Sequence, residues 1–77
     1  MKGDDKLTDF ELLNEVIADS GMTMSAIASK SGILRETLYN RLKGVGEFTA
    51  SEITGLSETL HLNRTQRENI FFAKRLN

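Results

Sequence analysis

Apolar residues recur along this chain at spacings of three and four, and strict alternation is nearly absent. That pattern predicts helices rather than strands. Phe10, Leu13, Val16 and Ile17 fall on one helical face and Gly21 follows them, so a first helix is expected over 9–20 with a glycine stop. Thr23 is a good N-cap ahead of Met24, Ile27 and Ala28, which predicts a second helix ending near Ser31 and Gly32. Leu38 and Leu42, one turn apart, predict a third over 34–43, closed by Gly44 before the loop "GVGEF". Ile53, Leu56 and Leu60 predict a fourth over 50–61, in which Gly55 costs about 1 kcal/mol relative to alanine. Ile70, Phe71, Ala73 and Leu76 are the burial candidates of a fifth helix over 66–76. The expected fold class is all-α, with no proline to interrupt any element.

Three helix starts have capping-box form, in which a Ser or Thr caps the N3 amide and a Glu three residues on reaches back. They are "TDFE" at Thr8 and Glu11, "TASE" at Thr49 and Glu52, and "TQRE" at Thr65 and Glu68. Each opens an apolar pattern of helical spacing.

At 77 residues the chain is expected to be one domain spanning 1–77, with 1–7 a flexible N-terminal tail. It has no cysteine and one histidine, His61, so neither a disulfide framework nor a cysteine or histidine-rich metal site is expected. His61 reads as a helix-end residue, where a cation is favourable. No cofactor, small-molecule substrate or membrane segment is expected either. The start "MKGDDKLTDF" is polar and lacks the apolar core of a signal peptide, so the cytosol is the expected compartment.

The net charge of −1 conceals an uneven distribution. Residues 1–29 carry Lys2 and Lys6 against six carboxylates, a net −4. Residues 30–43 carry Lys30, Arg35, Arg41 and Lys43 against Glu36, a net +3. Glu47, Glu52 and Glu58 make 44–63 acidic, and 64–77 return to +3. The third helix is therefore a basic island in an acidic chain. A dipolar molecule of this kind can bind a polyanion with one face while its net charge stays near zero.

The second and third helices are short and separated by about three residues centred on Gly32, which is helix-turn-helix spacing. The stretch "GMTMSAIASKSGILRETLYNRLKG" resembles the helix-turn-helix of the phage-repressor (Cro-like, XRE-type) family, matching its pattern at Gly21, Met22, Thr23, Ile27, Ala28, Gly32, Leu38, Leu42 and Gly44. The family's five-helix layout fits residues 8–76. The resemblance implies a compact five-helix, lambda-repressor-like domain. It further implies a sequence-specific, repressor-like DNA-binding transcriptional regulator, phage or prophage derived and dimeric at least on DNA. The chain departs from the family pattern at three places. Met24 stands where a glutamine is common, Leu34 where a serine or threonine caps the recognition helix, and Ile17 with Leu42 where an Arg–Glu pair is frequent. Ile17 and Leu42 are expected to pack together.

In such a domain the residues expected to meet bases are Leu34, Arg35, Glu36, Tyr39 and Asn40. Arg35 suits guanine O6 and N7, Asn40 suits adenine, Glu36 can accept from cytosine N4, and Leu34 or Tyr39 can lie against a thymine methyl. Phosphate contacts are expected from Thr23, Ser25, Thr37, Lys43, Thr49 and Ser51, the last two because helix N-termini bind phosphate through free amides. Lys30 and Arg41 are weaker candidates, Arg41 being expected to point into solvent. Phe71 and Phe72 project about 100° apart on a helix. One is expected to complete the core and the other, with Leu76, to form a dimer contact; the alternative is that Phe72 folds back onto the first helix. Such a dimer would place two recognition helices about one DNA turn apart on a palindromic operator.

Two other classes compete. A protein-interaction module on the same scaffold, of antirepressor or antitoxin kind, is favoured by apolar Met24 and Leu34 at positions where polar DNA contacts are expected. An enzyme is disfavoured, because the sequence offers no nucleophile–base pair, no metal cluster and no phosphate-binding glycine loop.

Overall fold

The computed structural model describes residues 8–72. The chain there folds into five helices, α1 (Phe10–Ser20), α2 (Met24–Ser31), α3 (Arg35–Leu42), α4 (Ala50–Thr59) and α5 (Arg64–Phe71), with no strand among the described residues. No helix of these residues is long and apolar enough to cross a membrane. The expectations for 1–7, Ala73 and Leu76 lie outside the described residues.

Each helix supplies one fully buried aliphatic side chain: Leu13, Ile27, Leu38, Leu56 and Ile70. Burying a side chain of this size is worth about 1.5–3 kcal/mol, so each helix has its own reason to dock. Ala28, Ile33, Leu60 and Phe71 complete the buried cluster. Ile17 and Leu42 are half-buried and both pack against it. The ring of Phe48, in the α3–α4 loop, meets that of Phe71 edge-on, with centroids 5.3 Å apart. Of the two adjacent phenylalanines, Phe71 is thus the core residue and Phe72 is half exposed.

The helix ends follow from local chemistry. Thr23 caps α2 by accepting from the Ala26 amide. The box at Thr49 is present in both directions, Glu52 N–H to Thr49 Oγ1 and Thr49 N–H to Glu52 Oε1. Gly32 takes φ 77°, and the Ile33 amide then reaches the Ala28 carbonyl at 3.1 Å, closing α2 and turning the chain toward α3.

Several predicted boundaries are corrected. α1 is capped by Asp9, not Thr8: its carboxylate accepts from the Leu12 amide, while the Asp9 amide donates to the Ile70 carbonyl of α5. The box expected at Thr65 and Glu68 is formed two residues earlier by Asn63 and Gln66, so α5 starts at Arg64. Glu68 instead pairs with Arg64 on the surface. α4 stops at Thr59 rather than His61, because the Leu62 amide turns back to the Ser57 carbonyl. α3 is shorter by one residue at each end, with Leu34 and Lys43 as its caps.

The glycine in α4 reads differently in three dimensions. Gly55 lies against the Ser31 carbonyl at the end of α2, where any Cβ would overlap that oxygen. The helix-propensity cost of Gly55 accompanies a close approach of α4 to the α2–α3 turn.

Candidate nucleic-acid interface

Leu38 and Leu42 fix the phase of α3 by pointing toward the core. At about 100° per residue, that turns Glu36, Asn40 and Lys43 to the outward side, with Tyr39 and Arg35 along its flank toward the Leu42 edge. These five side chains line one open surface hollow along the helix. Four of the five expected base readers therefore share a single face, together with the phosphate candidate Lys43. Leu34, the fifth, precedes the first turn and is 77% exposed. It caps α3 without any side-chain hydrogen bond.

The face is pre-arranged in one respect. The Arg35 guanidinium lies over the Tyr39 ring, 5.7 Å from its centroid, which is cation–π geometry for a pair one turn apart. The side chains of Glu36, Asn40 and Lys43 make no hydrogen bond or ion pair with the described residues.

The phosphate candidates divide into two groups. Thr23 and Thr49 spend an oxygen lone pair on their caps, which leaves a hydroxyl proton to donate. Thr49 and Ser51 are exposed at the start of α4, their hydroxyls 3.3 Å apart. Ser25 is exposed on the first turn of α2, and Thr37 is half-buried beside the outward row.

Arg41 does not point into solvent as the sequence suggested. Its Nε donates to Glu52 Oε1 at 3.1 Å, and one terminal nitrogen donates to the Val45 carbonyl at 3.3 Å. The same Glu52 oxygen accepts the Thr49 amide, so the last turn of α3, the loop and the first turn of α4 meet at one carboxylate. Sequence reasoning missed this link. The residues stand eleven apart, and no periodic pattern couples that separation.

No group of three or more His, Asp or Glu side chains that could hold a metal ion exists among the described residues. Of the expected dimer contacts, Phe72 is 50% exposed. The chain matches no family model, no curated protein and no solved structure.

Proposed function

We propose that this chain is a sequence-specific DNA-binding regulator with a lambda-repressor-like arrangement of its five helices, reading the major groove with α3. The observation that carries the reading is the outward row of α3. Arginine, glutamate, tyrosine, asparagine and lysine share one open face on a helix that follows a glycine-centred turn. Arginine and asparagine are the residue types with bidentate geometry for guanine and adenine edges. Around the row, Thr23, Ser25, Thr37, Lys43, Thr49 and Ser51 supply donors suited to phosphate, which fixes register without reading sequence. The acidic residues of α1 would face away from the duplex. A homodimer on a palindromic site, with Phe72 at the contact, extends the same reading.

A second reading is a protein-interaction module on the same scaffold. It is favoured by Leu34, the most exposed large apolar side chain among the described residues, at the head of α3.

The experiment is selection from a randomised duplex pool, followed by a salt titration of the recovered duplex with wild type beside Arg35→Ala. The expected result is affinity that falls steeply with salt and a loss of about 1–3 kcal/mol of preference at one base pair in the variant. Recovery of no preferred duplex at low salt would overturn the reading and favour a protein partner for α3.

A further inference from the structure

We propose that Arg41 and Glu52 form a positioning link that holds the start of α4 in register with the outward row of α3, so that both engage a duplex as one rigid unit. The inference rests on the DNA-binding reading and assigns a role to two residues that touch no base in it.

Arg41 belongs to the basic island, yet it stands about 170° around α3 from the centre of the row formed by Arg35, Glu36, Tyr39, Asn40 and Lys43. It cannot enter the groove that this row enters. Its guanidinium is instead committed inside the protein, to Glu52 Oε1 and to the Val45 carbonyl. The pair is largely shielded, with side-chain exposures of 22% and 15%, so solvent screens it less than the surface pair Arg64–Glu68 at 85% and 56%. Gly46 takes φ 77° directly beside the guanidinium, and any Cβ there would meet the arginine's terminal nitrogen. The loop is thus shaped around Arg41.

Two consequences follow for a phosphate at the head of α4. Glu52 orients the helix start by accepting the Thr49 amide. Left alone, its carboxylate would repel the anion that Thr49 and Ser51 are placed to bind. Arg41 supplies the compensating charge through a direct hydrogen bond. Removing Glu52 therefore separates two accounts by sign. On charge alone, loss of a carboxylate near a phosphate tightens binding. If the link positions α4, its loss weakens binding although a negative charge has gone.

The test measures dissociation constants for the duplex that wild type recovers from a randomised pool, using Arg41→Met, Glu52→Ala, Glu52→Gln and the Arg41→Met/Glu52→Ala double variant. All are read well below their unfolding temperatures, where the affinity of the folded protein is untouched by a mere loss of stability. Arg41→Met and Glu52→Ala are each expected to weaken binding about tenfold, and the double variant no more than either alone, because coupled residues are non-additive. Glu52→Gln keeps an acceptor for Thr49 and is expected to fall between wild type and Glu52→Ala; it also serves if Glu52→Ala does not fold. The salt slope is expected to stay unchanged in Arg41→Met. Equal or tighter binding by the Glu52 variants, additive losses, or a slope lower by about 0.9 in Arg41→Met, the signature of a lost phosphate contact, would overturn the positioning role alone. Failure of wild type to recover any duplex would overturn the DNA-binding reading and this role with it.

Discussion

Gly55 of α4 rests directly on the carbonyl of Ser31, the last residue of α2, with no room for a Cβ between them. Two effects of opposite sign meet at this position. Alanine in a helix interior is favoured over glycine by about 1 kcal/mol. Against that, the added methyl must displace backbone, because the atom it meets is a carbonyl oxygen rather than the end of a flexible side chain. Overpacking of this kind costs about 1–3 kcal/mol or more, and α2 with α4 is the most extensive helix contact in the described structure. Gly55→Ala is therefore expected to destabilise the protein by about 1–2 kcal/mol, measured by urea unfolding. A variant as stable as wild type would mean that α4 does not approach the turn so closely.

His61 offers the opposite case. It has φ 55°, the sole positive φ at a non-glycine among the described residues. The Leu62 amide bonds to the Ser57 carbonyl and the His61 amide to that of Glu58, so His61 occupies the left-handed position of a Schellman stop. A side chain there costs roughly 1–2 kcal/mol that glycine avoids, and the greater freedom of glycine in the unfolded chain returns part of that. The His61 side chain is exposed and holds no hydrogen bond with the described residues. His61→Gly is expected to stabilise by about 0.5–1 kcal/mol, read as a rise in melting temperature. A lower melting temperature would show that the imidazole has a role at the helix end that outweighs backbone strain.

These two positions also show what was legible in the sequence. Helix number, the α2–α3 turn and the outward row of α3 could be read because each rests on a local rule: periodic burial, a glycine stop, a phase fixed by Leu38 and Leu42. Cap positions were legible only where one frame satisfied the rule. Thr49 and Glu52 had no rival. Asn63 with Gln66 and Thr65 with Glu68 both obey the same spacing, and the turn after Leu60 decides between them. Thr8 and Asp9 are adjacent candidates, and the tie of the Asp9 amide to Ile70 in α5 selects the second. The packing reason for Gly55 and the Arg41–Glu52 link depend on how α4 sits against α2 and α3. No spacing along the chain encodes that.

Leu34 is the remaining position where a local rule and the observed residue disagree. It has cap geometry, φ −62° and ψ 140°, and offers no acceptor to the first turn of α3. At 77% exposure it buries little apolar surface that a substitution would forfeit. Leu34→Thr supplies an acceptor for the Thr37 or Glu36 amide and is expected to stabilise the protein by about 1 kcal/mol. For a domain this small that is a rise of about 4–8 °C in melting temperature. The same variant separates the two readings of the α3 face. If α3 reads DNA, Leu34 contributes at most contact with a thymine methyl, so Leu34→Thr should keep most duplex affinity and lose preference at no more than one base pair. If α3 docks on a protein, an exposed leucine at its head is an anchor, and truncating an anchor costs about 2 kcal/mol or more. Raised stability with duplex binding intact would favour the first. Raised stability with all duplex preference lost would place Leu34 at the centre of recognition and require the base-reading role of Arg35 and Asn40 to be assigned again.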